Sequence, residues 1–452
     1  MNYFAPSALL ADGWAESVAI DTDDAGMIVA VASNADRAQR EILAGPVIPA
    51  MPNLHSHAFQ RALAGRTGWP SPNRDDSFWS WRQAMYRFLD RLDADAIEAI
   101  AAQVYVEMAK SGYGSVAEFH YVHHDPVGKP YTDPAELAMR VVAAAQRAGL
   151  GLTLLPVFYA HGGFGGVPTM EGQRRFAHTT ATFAPLVERL REQAPHHGYV
   201  LGVAPHSLRA VTAEELGIIV RLAGPGAPIH IHVAEQTREV DECYAWSRMR
   251  PVEWLITQAG VDRRGCLVHA THMTEREVDG LAASGAVAGI APTTEADLGD
   301  GTFPGPRYFA AKGRFGVGSD SNTIISPFAE LRQLEWSQRT RVRRRNVLAS
   351  EGETAIGTSL WASAARGGGQ ALAQPIGTIA PGFRADLVVL DVDDPALAEQ
   401  RPVDVLDAAI FGPAQHPVRD VIVAGRFVVR DGHHAEEEAV FERYRQRLRA
   451  LA

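Results

Sequence analysis

Residues 47–57 read VIPAMPNLHSH, an apolar run that ends in a His-x-His pair. Before it, residues 1–48 alternate short apolar runs (17–20, 27–32) with turn-forming Asp, Gly and Asn, the pattern of a few β-strands. From 47 onward the rhythm changes. Short, nearly continuous apolar runs fall at 47–54, 115–119, 152–158, 199–203, 228–233, 266–269, 286–290 and 314–317. Helix-compatible stretches separate them, among them 93–110, 134–148, 212–222 and 274–283. Continuous apolar strands alternating with helices make a parallel sheet, and eight such units in succession predict a (β/α)8 TIM-type barrel.

After about 375 the rhythm returns to strands. GTIAPGFRADLVVLD (377–391) leads into a β-branched run, and DVIVAGRFVVR (420–430) reads as two strands around Ala424-Gly425. The expected organisation is a small β-sandwich domain built from 1–48 and 376–432, a barrel over 49–375, and a C-terminal helix over 433–452. In that helix Val440, Tyr444, Leu448 and Leu451 share one face.

The bulk numbers agree with a large domain plus a smaller one: 452 residues, 46% hydrophobic and 21% charged. A net charge of −10 disfavours polyanions, and a nucleic-acid site would need a basic stripe. The nearest candidate, RTRVRRR at 339–345, reads as a solvated helix face, so no nucleic-acid partner is expected. Cys243 and Cys266 are the two cysteines, with no Cys-x-x-Cys pair and no disulfide framework. No charged-then-apolar leader opens the sequence and no apolar run has membrane-spanning length; the expectation is a cytoplasmic enzyme without membrane contact.

Barrel active sites sit at the C-terminal ends of the strands. The first run ends in His55-Ser56-His57, the fifth reads His230-Ile231-His232 and continues to Glu235, the sixth ends at His269, and the eighth is followed by Asp320. Residues i and i+2 of a strand point the same way, so His55 and His57 can both face the barrel axis. His232 and Asp320 can converge on the same point. Three imidazoles and a carboxylate suit Zn²⁺ and leave a position for water, whose pKa zinc lowers from 15.7 to about 7. His230 shares the inward face of His232 one layer deeper and reads as packing. His120, His123 and His124 follow the second run and read in part as loop residues.

The HSH, the HVAE, the lone His of the sixth run, the SD of the eighth and GTIAPGFRADLVVLD together resemble the amidohydrolase superfamily across essentially the whole chain. The resemblance implies metal ligands at His55, His57, His232 and Asp320. Two-metal members bridge their ions with Lys or Glu near strand 3 or 4; neither strand here has one, which implies a single Zn²⁺ per subunit. Glu235 matches the acid–base carboxylate of deaminating members, which takes a proton from water and returns it to the departing nitrogen. His269 and Asp320 are implied to orient and help deprotonate that water. The resemblance also implies a homodimer.

Specificity should come from the rim. Arg82 sits in WSWRQAMY, and Arg209, at a strand end in GVAPHSLRAV, can clamp a carboxylate in two-pronged fashion. With Gln60, Tyr121 and His206 nearby, they suit a small anionic, amino-acid-like substrate. HSHAFQRALAG, WSWRQAMY, GVAPHSLRAV and HVAEQ are similar to the superfamily's iminohydrolases of formimino-amino acids. That likeness implies hydrolysis of N-formimino-L-glutamate to N-formyl-L-glutamate and ammonia, with Gln60, Arg82, Tyr121, His206 and Arg209 as substrate contacts. Two alternatives stand beside it. Trp79 and Trp81 could stack a heterocycle, as in an aminohydrolase of guanine or a nucleoside, and the barrel could bind a small ligand without catalysis.

Overall fold

A computed structural model describes residues 1–37, 39–68, 70, 76–349 and 355–451. Strands Met51–Ser56, Tyr113–His120 and Gly151–Phe158 pair in parallel, and the short pieces Val200–Leu201 and Ala204–Pro205 extend the sheet beyond the third. Strands Ile229–Val233, Gly265–His269, Val287–Ile290 and Arg314–Val317 form a second parallel sheet. Parallel bridges join the two sheets along both edges: Ser56 to Asp320 on one side, Val203 to Ile229 and Ser207 to His232 on the other. Helices cover strands that are buried almost throughout, which is why they read as continuous apolar runs.

Several of the intervening helices start where the sequence supplies a cap. Asp93, Thr212, Thr274 and Ser326 each accept a hydrogen bond from the third residue beyond, satisfying a backbone N–H that the first turn leaves free. The fourth run, expected whole at 199–203, is broken at Gly202. A Cβ there would lie 2.5 Å from the Pro228 carbonyl and 2.6 Å from Leu155, so the neighbouring strand and side chain sit where a continuous run would place one.

The run 47–54 also divides. Val47–Pro49 pairs antiparallel with Leu387–Leu390, whereas Met51–Ser56 enters the parallel sheet. Ala50 marks the change of partner, donating to the Asp386 carbonyl at 2.9 Å while Met51 donates to Gly112 at 3.0 Å. Val47–Pro49 belongs to a nine-stranded mixed sheet that brings together Asn2–Leu10, Gly13–Thr22, Leu387–Leu390, Val418–Val423 and Arg426–Arg430. Pairing is continuous through this sheet instead of dividing into the two facing sheets of a sandwich. Its two faces bury different things, as strand alternation requires. Leu387 and Val389 join Tyr3, Val18 and Ile20 in a small core, while Val388 and Leu390 face the main one.

A helix, Pro402–Phe411, interrupts the stretch expected to be all strand. The C-terminal helix Glu437–Leu451 buries Val440, Tyr444 and Leu451 against Ala94–Lys110 and pairs Arg443 with Glu98 at 2.9 Å and Arg447 with Asp95 at 2.6 Å. Leu448, expected on that face, is only partly buried. In the basic run, Arg339 pairs with the buried Glu335 at 2.7 Å, and Arg343, Arg344 and Arg345 are exposed. Among the described residues no helix is long and apolar enough to cross a membrane.

Candidate active site

The seam between the strands Met51–Ser56 and Arg314–Val317 sets the first part of the site. Asp320 N–H donates to the His55 carbonyl and His57 N–H to the Asp320 carbonyl, each at 3.0 Å. Asn53 accepts from Ser319 N–H at 3.1 Å and donates to Ser319 Oγ at 2.7 Å, while Asn322 donates to the carbonyls of His57 and Asp320. Gly318 is required here: a Cβ would come within 2.7–2.8 Å of His55 backbone atoms. Asp320 and Asn322 adopt left-handed backbone (φ 43° and 57°), tolerated by their short polar side chains.

This frame aims three imidazoles at one point. His55 Nε2 lies 3.2 Å from His57 Nε2 and 3.0 Å from His232 Nε2. His57 Nδ1 donates to the Phe119 carbonyl at 3.1 Å and His232 Nδ1 to the His206 carbonyl at 3.0 Å. With Nδ1 committed as donor, each neutral ring presents a bare lone pair at Nε2. Burial holds all three imidazoles below their ordinary pKa, in the neutral form that ligates metal. Asp320 Oδ1 adds a carboxylate oxygen 3.4 Å from His55 Nε2 and 3.3 Å from His57 Nε2. Lone pairs converging this closely repel unless a cation lies between them, so the donor set fits a divalent metal ion of zinc's preference for nitrogen and oxygen.

Glu235 follows the strand Ile229–Val233, its backbone held by Glu239, which accepts from Ala234 N–H at 3.2 Å and from Glu235 N–H at 3.3 Å. Its carboxylate stands 3.6 Å from His269 Nε2. Burial pushes Glu235 up to about 7. His269, at φ 68°, is gripped from the other side by Glu295, 3.3 Å from Nδ1, with Asp320 Oδ2 3.8 Å from Nε2. Burial opposes charge on His269, but Glu235, Glu295 and Asp320 outweigh it and raise the imidazole to about 10.

A cavity opens onto this group and is lined by His57, Glu235, His269 and Asp320 at one end. Gln60, Arg82, Tyr121, His206 and Arg209 line it as well. Gln60 donates to Tyr121 Oη at 2.9 Å, and His206 Nδ1 lies 3.1 Å from Ser207 Oγ. Neither Arg82 nor Arg209 forms an ion pair among the described residues, and the Nε of each is buried without a partner. Trp79, one candidate platform for a base, is instead covered by guanidinium groups: Arg82 at 4.6 Å, Arg238 at 4.7 Å and Arg209 at 5.6 Å. His230 turns away, its Nε2 on the Ala371 carbonyl at 2.8 Å.

A sequence model of the amidohydrolase family matches residues 47–428. The chain belongs to the amidohydrolase family. This amidohydrolase is 51% identical to the formimidoylglutamate deiminase of Pseudomonas aeruginosa, over 96% of each chain. It is a hydrolase acting on C–N bonds. A crystal structure of an amidohydrolase from Brucella melitensis superposes with a TM-score of 0.95 at 46% identity, covering 100% of this chain and 99% of that one. A zinc-bound adenosine deaminase from Xanthomonas campestris shares the fold at a TM-score of 0.82 and 22% identity, covering 100% of this chain and 98% of that one.

Three groups of this amidohydrolase's site were missed in the sequence. Glu295 and Asp300 lie in APTTEADLGDG, after the seventh strand, in no metal-like spacing. Tyr159, which lines the cavity, comes directly after the third strand, a strand-end position like those of the histidines.

Proposed function

We propose that the chain hydrolyses N-formimino-L-glutamate to N-formyl-L-glutamate and ammonia. The observation that carries this is the division of charge in one cavity: a carboxylate and imidazole group at one end, and along it two guanidiniums without ion-pair partners among the described residues. A formimino-glutamate has a protonated formimino head and a dicarboxylate tail, and matches both. The 51% identity to an enzyme named for this reaction supports the same substrate. The two parallel sheets, joined along both edges, are read as one (β/α)8 barrel over 49–375, with 1–48 and 376–432 as the small β-domain; the C-terminal helix, expected over 433–452, begins only at Glu437 because His433–His434 pairs as a further strand of the mixed sheet.

His55, His57, His232 and Asp320 would hold one Zn²⁺ per subunit. When bound, the ion supplies the Lewis acidity that makes water a nucleophile near neutral pH. Glu235, pushed up to about 7, can both accept a proton and return it at that pH. It takes a proton from the attacking water and delivers it to the nitrogen that leaves as ammonia. His269, held in place by Glu295, orients the water from the opposite side. Arg82 and Arg209 pair with the substrate carboxylates, which keeps the formimino carbon beside Glu235.

Ammonia release from N-formimino-L-glutamate, with and without a chelator, tests the proposal. Turnover abolished by chelation and restored by Zn²⁺ is expected. Release from guanine or adenosine but not from the formimino compound would replace this assignment with a heterocycle aminohydrolase.

A further inference from the structure

Asp300 stands against the two groups that line the catalytic end of the cavity. One ligand atom each from Glu235, His269 and Asp300 lies within 4.8 Å of the other two, and all three residues are buried. Asp300 is 4% exposed. Gln236 Nε2 donates to its Oδ1, its backbone carbonyl receives His272 Nε2 at 2.8 Å, and its Oδ2 has no partner among the described residues. A buried carboxylate oxygen without a donor is costly unless a cation or a proton meets it. The groups whose charge acts on it are Glu235, His269, Glu295 and Asp320, and the His272 ring meets its backbone carbonyl. Three of these four are carboxylates.

The substrate's head supplies a cation. A formimino group on nitrogen is an amidine, protonated at neutral pH, whereas the product's formyl group and the amino-heterocycle alternatives are neutral. An amidinium entering this end of the cavity meets the group in which carboxylates outnumber the imidazole around Asp300.

We propose that Asp300 is a specificity-determining positioning residue which, through Glu235, makes this end of the cavity select a protonated formimino head over a neutral group of the same shape. The proposal rests on the formimino-glutamate assignment. Without a bound cation, burial and then Glu235 push Asp300 up to about 9, so it carries a proton. A cationic ligand removes the reason to hold that proton, and binding should release it.

Calorimetry on the zinc-loaded protein tests this with two inert ligands of matched shape. N-carbamimidoyl-L-glutamate carries a cationic guanidino head, and N-carbamoyl-L-glutamate is neutral. Wild type should bind the guanidino compound more tightly and release protons on doing so at pH 7.5, read from buffers of different ionisation enthalpy. Asp300→Asn should bind the guanidino compound about tenfold more weakly, release no proton, and keep its affinity for the carbamoyl compound. Asp300→Glu should retain the preference. Equal weakening of both ligands in Asp300→Asn would mark Asp300 as merely structural, and absence of proton release in wild type overturns the proposal without any variant. If wild type binds neither glutamate derivative, the substrate assignment has failed. Methylguanidinium against methylurea then decides the Asp300 claim, which falls if the two bind alike.

Discussion

At the residue scale the chemistry turns on one proton and one clamp. Glu235→Gln keeps the shape of the side chain and leaves the metal ligands untouched, so metal content should be unchanged while kcat falls by roughly 10²–10⁴-fold, the usual contribution of acid–base catalysis. Metal analysis alongside steady-state kinetics decides it, and full turnover in a zinc-replete sample removes Glu235 from the role. Arg209→Met has the opposite signature. Its Nε is buried without a partner, and hydrogen bonds to a charged group are worth about 1.5–3 kcal/mol, so KM should rise about tenfold or more with metal still bound. An unchanged KM places the carboxylates elsewhere. The residues in these predictions were legible in the sequence because strand ends and a period of two place them. Glu295 and Asp300 were not, because a loop following a strand has no periodicity to say which side chains turn inward. Only the coordinates put Glu295 on His269 Nδ1 and Asp300 beside Glu235.

At the scale of elements, the site depends on how closely the first and last parallel strands approach. Gly318 carries that approach, with His55 backbone atoms 2.7–2.8 Å from where a Cβ would stand. Neither partner can give, since the Asp320 and His55 backbones are hydrogen-bonded to each other. Gly318→Ala should therefore cost about 1–3 kcal/mol in stability and also loosen the metal site, read as a lower thermal midpoint and faster zinc loss to a chelator. Gly217→Ala is the control. It lies within the helix Ala213–Ala223, where a Cβ meets nothing nearer than Arg221 at 3.4 Å, and alanine favours the helix by up to about 1 kcal/mol. Equal zinc retention in the two variants would show that the seam does not set the site. The same seam marks a limit of sequence reading. The strand ending in His-x-His was visible, but the division of 47–54 between two sheets was not, because Val47, Ile48 and Met51 are apolar and buried in either one.

At the scale of the whole molecule, the succession of eight strand–helix units was legible because helix-covered strands must be apolar on both faces, and the helix Pro402–Phe411 was not, because the strand rhythm on either side of it set the expectation. His120, His123 and His124, read in part as loop residues, are instead buried and joined by His178 in a second group of histidines. His123 lies 5.4 Å from His120 and 4.9 Å from His178, and His124 lies 4.7 Å from His178, between ring centres. Val157, Ala177 and Thr182 receive or share their hydrogen bonds, and no carboxylate pairs with any of them among the described residues. Burial pushes His120 down to about 4 and His178 down to about 3, and drives His123 well below its ordinary value. A histidine lowered by folding binds its proton more readily in the unfolded chain. Its stabilising contribution is therefore complete above 6.5 and is lost as pH falls from 6.5 toward 4 and 3, at up to about 1.4 kcal/mol per pH unit for each group. The protein should unfold progressively more easily across that window. Metal ligands titrate there too, so the test is a difference. His178→Gln removes one of these groups, and its urea midpoint should fall less than wild type's between pH 7.5 and pH 5, by the equivalent of about 2 kcal/mol. Parallel pH dependence in the two proteins would mean that His178 is neither neutral nor destabilised by acid in the folded chain.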